Sequence, residues 1–271
     1  MGESRKTLTK IVGVLNVTPD SFSDGGKFFN VDDALQHAKR LIADGADVVD
    51  VGGESTAPGS TGITQDEEWR RLEHVLPEII YMSHGAGVKV SVNTRNAETA
   101  ELAVRLGADY INDQGGLSDP NMPEVMAGSS AKIIVMHNLG IPASRDKTMS
   151  CSTEHVVDEI IEWLRNRVDT LVAKQMKRER IIVDPGIGFG KKPEHSWHII
   201  KNIVKFRELG LPVYVGHSRK SVFSSISADV SGRDIPTALV SAFLMLKNVD
   251  YLRIHDVALA KTAAEVVKHL S

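Results

Sequence analysis

Short apolar runs alternate along the chain with longer stretches whose apolar residues return every three or four positions. The short runs are Ile11–Leu15, Asp47–Val51, Lys89–Asn93, Tyr110–Asn112, Lys132–Met136, Ile181–Asp184, Val213–Val215 and Tyr251–Ile254. Each is rich in Val and Ile, as parallel strands covered on both faces should be. Helices are predicted between them. Asn30 caps the first, Val31–Ala43, whose first turn carries Asp32 and Asp33 where the helix dipole favours acids. Thr64-Gln65-Asp66-Glu67 reads as a capping box for a helix running towards Tyr81. Ala97–Leu106 stops before Gly107, and a short helix is expected near Asn121–Ala127. From Glu154 to Lys174, the residues Val157, Ile160, Ile161, Leu164, Val168, Leu171 and Val172 make one apolar stripe. Glu194–Arg207, Pro236–Lys247 and Val257–Leu270 complete the set.

Eight strands, each followed by a helix, in 271 residues predict an α/β chain folded as a single (β/α)8 TIM barrel. One domain is expected over residues 1–271, with 1–9 as an N-terminal extension. A doubly wound open sheet is the alternative, but no Gly-x-Gly-x-x-Gly opens the first helix. Composition narrows the partners. A formal charge of −3 gives no electrostatic case for nucleic acid or an anionic membrane. No apolar run is long enough to span a bilayer, and the first ten residues do not read as a signal peptide. Cys151 is the single cysteine, so no intrachain disulfide can form, which suits a cytoplasmic protein.

What stands at the end of each strand is the useful chemical signal, because in a barrel all eight ends meet at one mouth. The first strand delivers Asn16 and then a polar loop through Thr18, Pro19, Asp20, Phe22, Ser23, Asp24 and Gly25-Gly26. The second delivers Asp50 and Gly52-Gly53-Glu54-Ser55-Thr56. The third ends at Asn93, the fourth at Asn112-Asp113 and the fifth at Met136-His137-Asn138. The sixth runs into Asp184-Pro185-Gly186-Ile187-Gly188-Phe189-Gly190-Lys191. The seventh gives Gly216-His217-Ser218-Arg219-Lys220-Ser221, and the eighth Arg253-Ile254-His255-Asp256. Asn93, Asn112 and Asp184 are planar donor and acceptor groups that suit the edge of a flat nitrogen heterocycle, and a carboxylate takes two parallel N–H bonds from an amidine-like edge. Arg219, Lys220, Arg253 and His255 fall in the usual phosphate corner of such a barrel. Asn16, beside them once the barrel closes, is a candidate ligand for Mg²⁺ held mainly by phosphate oxygens. Gly186-x-Gly188-x-Gly190 lacks the Gly-Lys-Ser/Thr ending of a P-loop. His137 has no partner at metal-ligand spacing and reads as structural. Trp69, Trp163 and Trp197 lie in helical patterns and read as packing residues. Cys151 has no base beside it in sequence and is not assigned as a nucleophile.

At these residues the chain resembles the dihydropteroate synthase family, the folate-pathway enzymes blocked by sulfonamide drugs. The likeness runs from about Lys10 to the C-terminus. Its most specific pieces are Asn16–Gly26, Asp50–Thr56, Asp184–Lys191, Ser218–Ser221 and Arg253–Asp256. The resemblance implies joining of 6-hydroxymethyl-7,8-dihydropterin pyrophosphate to p-aminobenzoate, with release of pyrophosphate and help from Mg²⁺. It implies that Asp184 binds the amino-pyrimidine edge, that Asn112 takes another ring position, and that Lys220 bonds the ring carbonyl side. Phe189 and Met136 would line the pterin slot, and Asn93 and Gly216 belong to the same substrate-binding set. Asn16, Arg253 and His255 would hold pyrophosphate and metal, with Asn16 the metal ligand. Phe22, Ser23 and Asp24, with Thr56 on the second loop, would close over the site, and Ser221 would touch p-aminobenzoate. Asp24, Lys220, Arg253 and His255 form the expected catalytic set. A homodimer is implied by resemblance, through helices after strands six to eight.

Two departures from the family pattern stand out. Val92-Asn93-Thr94 replaces the usual Val-Asp-Thr, and Ser55-Thr56-Ala57-Pro58-Gly59 replaces Ser-Thr-Arg-Pro-Gly. The first removes a negative charge beside the pterin, and the second removes a loop cation near pyrophosphate. They motivate an alternative reading, a pterin-binding paralogue with weak or altered synthase activity. A pterin-dependent methyltransferase domain is the other alternative, and Ser218–Ser221, Arg253 and His255 stand against it.

Overall fold

Eight parallel strands form one sheet in the computed structural model, which describes residues 8–18, 31–56, 59–144 and 146–270. They are β1 (Lys10–Asn16), β2 (Val48–Gly52), β3 (Lys89–Asn93), β4 (Tyr110–Asp113), β5 (Lys132–Met136), β6 (Ile181–Asp184), β7 (Tyr214–Val215) and β8 (Tyr251–Ile254). Neighbours run β6-β5-β4-β3-β2-β1-β8-β7. The ring closes where Val183 bridges to Val213 and donates its N–H to Pro212 O at 3.0 Å. The fold is therefore a closed (β/α)8 barrel. β7 is shorter than its apolar run, with Val213 reduced to an isolated bridge. Pro212 beside it has no N–H with which to extend the ladder.

Both faces of the strands are covered, which is why the runs are mostly apolar. Val12, Val48, Tyr110, Ile134, Ile182, Tyr214 and Tyr251 pack together as one cluster filling the barrel. The alternate residues, among them Ile11, Val49, Ile111, Ile133 and Val183, join the helices in a larger core. Those helices are α1 (Val31–Ala43), α2 (Gln65–Leu72), α3 (Leu76–Gly85), α4 (Ala97–Leu106), α5 (Met122–Ala127), α6 (Val156–Ala173), α7 (Pro193–Lys201), α8 (Asp234–Leu246) and α9 (Val257–Leu270). The α6 stripe buries Val157, Ile160, Ile161, Leu164, Val168 and Leu171, while Val172 faces out at 39% exposure.

Two expected helices are broken. The one opened by Thr64, whose hydroxyl accepts from Glu67 N–H at 3.3 Å, stops at Leu72, and α3 begins at Leu76. Pro77 causes the break, because it cannot donate to Glu73 and its ring would collide with that carbonyl. The run expected from Glu194 to Arg207 ends as an α-helix at Lys201 and continues as a 3₁₀ segment, Ile203–Leu209. Asn30, the expected first cap, lies outside the described residues.

At the bottom of the barrel one device recurs. α1, α4 and α8 each end in a left-handed residue, Gly45 (φ 90°), Gly107 (φ 107°) and Asn248 (φ 55°). The next residue donates its N–H back to the helix: Ala46 to Leu41 O, Ala108 to Ala103 O and Val249 to Leu244 O, at 3.0–3.1 Å. This is Schellman capping. An aspartate follows each time and accepts an N–H at the start of a neighbouring strand: Asp47 from Ile11 (2.8 Å), Asp109 from Val90 (2.9 Å) and Asp250 from Val213, just before β7 (2.8 Å). Each aspartate thus latches strand to strand at the end away from the mouth. Among the described residues no helix is long and apolar enough to cross a membrane.

Candidate active site

The mouth is organised by a ring of side chains from four strands. Asp50 on β2 is fully buried and accepts from Arg253 Nε at 2.6 Å and from Asn112 Nδ2 at 3.2 Å. Arg253 Nη2 lies 3.2 Å from the Asn93 side chain, and Gln114 Nε2 lies 3.0 Å from it. Both are donors, so the Asn93 atom facing them is its oxygen, and its Nδ2 then donates to the Asn112 carbonyl at 3.3 Å. Asp50, Arg253, Asn93 and Asn112 thereby close a loop of hydrogen bonds. Asn112 Oδ1 is buried with no hydrogen-bond partner among the described residues, leaving an acceptor for an incoming N–H.

Asp184, at the end of β6, is 3% exposed and accepts from Gly186 N–H at 2.7 Å. Burial pushes its carboxyl up to about 6, against the pull of that N–H and of Lys191, Lys220 and Arg253. The loop beyond it turns through Gly186 at φ 68°, where a Cβ would run into the His137 carbonyl, so only glycine fits. The turn brings Phe189 under Lys220, whose Nζ stands 3.9 Å from the ring centroid. Phe189 also packs with Met136 and Ala143. Met136 pairs in register with Asp184 itself, so this apolar cluster lies directly beside the carboxylate. Gly216 borders the same space, since a Cβ there would lie 3.9 Å from Asp184 Oδ2 and 3.8 Å from Arg253 Cβ. Burial, then Arg253, lowers Lys220 to about 7 despite Asp184.

Next round the ring, beyond β7 and β8, are Ser218 and His255, with Ser218 Oγ 2.9 Å from His255 Nδ1. Burial first, then Arg253, Arg219 and Lys220, holds the imidazole neutral, down to about 3. Arg219 is not free for an anion. Its guanidinium grips Asp234 with two bonds, Nε–Oδ1 2.7 Å and Nη2–Oδ2 2.8 Å. Asn16 is half-buried where β1 ends, in register with Gly52. Ser221 is exposed and opens a 3₁₀ turn, Ser221–Phe223. Thr56 is half-buried beside Asn93, Thr94 and Gln114 around a narrow cavity. The root of its loop is tied by Glu54, which takes Arg95 through two bonds (2.7 and 2.9 Å) and the Ile63 N–H at 3.1 Å. Phe22, Ser23, Asp24 and Ala57 lie outside the described residues.

Sequence reasoning gave no role to two residues that matter here. Asp50, at the centre of the ring, sits in an apolar strand and only its charge in that setting marks it. Lys191 is buried with its Nζ 2.8 Å from His137 Nδ1 and 2.9 Å from the Phe189 carbonyl, so it pins the loop that carries Phe189. Burial lowers it to about 7. His137 is structural: Trp163 packs edge-on at 4.9 Å, and burial with Lys191 nearby drives it down to about 2. Trp69, Trp163 and Trp197 all pack against the core. Asp113 closes its own turn by accepting from Gly115 and Leu117 N–H (2.8 and 2.7 Å). Burial and Glu159 raise the Cys151 thiol, which makes a poor nucleophile.

Residues 12–255 match the family described as pterin binding enzyme. A dihydropteroate synthase of Clostridium beijerinckii is 37% identical over 261 residues, covering 95% of this chain and 93% of that protein. A probable bifunctional folylpolyglutamate synthase/dihydropteroate synthase of Haloferax volcanii is 38% identical over 92% of this chain. The chain spans only 29% of that protein's length, and 30% of a similar one from Halobacterium salinarum. Among solved structures, the dihydropteroate synthase of Anaplasma phagocytophilum with bound 6-hydroxymethylpterin-monophosphate superposes with a TM-score of 0.92 at 56% identity. It covers 98% of this chain and 100% of that one. The Xanthomonas albilineans dihydropteroate synthase with 4-aminobenzoic acid gives 0.89 at 31% identity, covering 97% and 93%. In sequence and in fold, the chain belongs to the pterin binding enzyme family.

Proposed function

We propose that the protein is a dihydropteroate synthase, joining 6-hydroxymethyl-7,8-dihydropterin pyrophosphate to p-aminobenzoate and releasing pyrophosphate. The observation that carries this is the pairing, within one mouth, of a buried carboxylate beside an apolar cluster with an Arg and His corner. Asp184 offers two acceptor oxygens to the amino-pyrimidine N–H groups. The unpartnered Asn112 Oδ1 takes a further ring N–H, and Lys220 donates to the ring carbonyl while Phe189 and Met136 cover the faces. Arg253, oriented by Asp50 and Asn93, and His255 face the pyrophosphate.

The bond that breaks joins a methylene to the pyrophosphate oxygen, next to an electron-rich ring, so the transition state carries positive charge on the pterin. Arg253 and the His255 N–H stabilise the departing anion, and no protein nucleophile is needed. The aniline nitrogen of p-aminobenzoate, placed in line by Ser221 and Thr56, then forms the new C–N bond and loses its proton to water. The donors here fit Mg²⁺ carried mainly by phosphate oxygens and water. Asn16 supplies one neutral amide oxygen, and among the described residues no three His, Cys, Asp or Glu side chains gather as a protein cage would require. Bound there, Mg²⁺ would draw charge from the leaving pyrophosphate. A homodimer fits the apolar residues exposed on α8 and α9, Ile235, Leu239, Val266 and Leu270. With Cys151 as its only thiol, the protein suits the reducing cytoplasm.

The test is pyrophosphate release from purified protein with Mg²⁺, dihydropterin pyrophosphate and p-aminobenzoate. Stoichiometric release with dihydropteroate formation is expected. Tight pterin binding without release would overturn the proposal in favour of a non-synthesising pterin binder.

A further inference from the structure

We propose that Ser218 is a positioning residue that fixes the tautomer of His255, so that the ring meets an anion as a neutral Nε2–H donor. The argument is donor and acceptor arithmetic. Ser218 Oγ has two polar neighbours, the His255 backbone N–H at 3.2 Å and His255 Nδ1 at 2.9 Å. The backbone N–H can only donate, so Oγ accepts it. The hydroxyl has one proton to give, and among the described residues Nδ1 is the acceptor within reach. Ser218 is 5% exposed, so water does not compete freely for that proton. With Nδ1 accepting, the proton of a neutral imidazole sits on Nε2. Both bonds run between the ends of β7 and β8, so one hydroxyl fixes the backbone and the ring of His255 together.

The cationic surroundings favour this arrangement. Arg253, Arg219 and Lys220 all oppose a charge on His255, and Asp234, the acidic group facing it, is held by Arg219. Anion contact at this corner then takes its charge from Arg253 and its direction from His255. The proposal deepens the synthase reading and rests on it for the identity of the anion.

Full-length protein labelled with ¹⁵N in its histidine rings, with His255 assigned by loss of its signals in His255→Gln, tests the lock directly. At pH 7 the wild type is expected to show a proton on Nε2 and an acceptor-type shift at Nδ1. Ser218→Ala should let the Nδ1–H form appear and raise KM for dihydropterin pyrophosphate about tenfold, the worth of roughly one hydrogen bond. Ser218→Thr, which keeps the hydroxyl, should restore both. A wild-type ring protonated at Nδ1, or at both nitrogens, overturns the proposal whether or not the alanine variant folds. An alanine variant that keeps the Nε2–H form alone also overturns it. A lost lock with unchanged KM and kcat overturns the anion-facing half and removes pyrophosphate from His255, while leaving the rest of the synthase reading to the release assay.

Discussion

In the proposed pterin site, Asp184 and Lys220 make opposite demands on pH. The carboxyl is raised to about 6, so its acceptor form fills as pH rises through that value. The ammonium is lowered to about 7, so its donor form is lost as pH rises further. We expect kcat/KM of the free enzyme to be bell-shaped, with limbs near these values, and Asp184→Asn to lose the acid limb and about 10–100-fold in pterin affinity, the worth of charge-assisted bonds. Burying ionised Asp184 also costs stability, and with a raised folded pKa that cost sets in as pH rises above the usual carboxylate range. Asn93→Asp keeps the acceptor for Arg253 and Gln114 and adds charge beside the forming cation. We expect kcat to rise and the acid limb to move up; a lower or unchanged kcat argues against the charge effect. These polar strand ends were legible in the sequence because an amide or carboxylate closing an apolar run has no role in a core. Asp50 was harder, since nothing in its own strand says that its partners are 62 and 203 positions away.

Elements were readable where local pattern decides and misread where one residue overrides it. All eight strands were marked by short apolar runs, most of them rich in Val and Ile, and the stripe along α6 by its spacing. The break between α2 and α3 turns on Pro77, which a capping box followed by apolar residues conceals. The change from α7 to a 3₁₀ segment carries no comparable sequence mark. The aspartate latches yield a prediction of their own. Burial pushes Asp109 up, but Lys89, the Val90 N–H and His84 outweigh it and hold the carboxyl below its usual range. A depressed carboxylate adds stability above its unfolded pKa and loses it as pH falls through the folded value. Asp109→Asn should therefore lower Tm at neutral pH and flatten its fall in acid, measured by thermal melts from pH 7 to pH 3.

For the whole molecule, barrel closure followed from counting units, whereas the outer face of α8 and α9 says only that apolar residues are exposed there. Leu239→Glu should shift a dimer to monomer in light scattering, and a variant that stays dimeric places the interface elsewhere. The closure itself is uneven. β7 has two residues, and β6 meets it through the single bridge Val183–Val213. Asp184 ends one side of that seam, and Gly216 and Lys220 continue the other. A pterin held by Asp184 and Lys220 is therefore a rivet across the weakest joint of the barrel. Its binding should slow amide hydrogen exchange at Val183 and Tyr214 more than at the β2–β3 pairing, and raise Tm with ligand concentration. The substrate, on this view, completes the wall of the vessel that holds it.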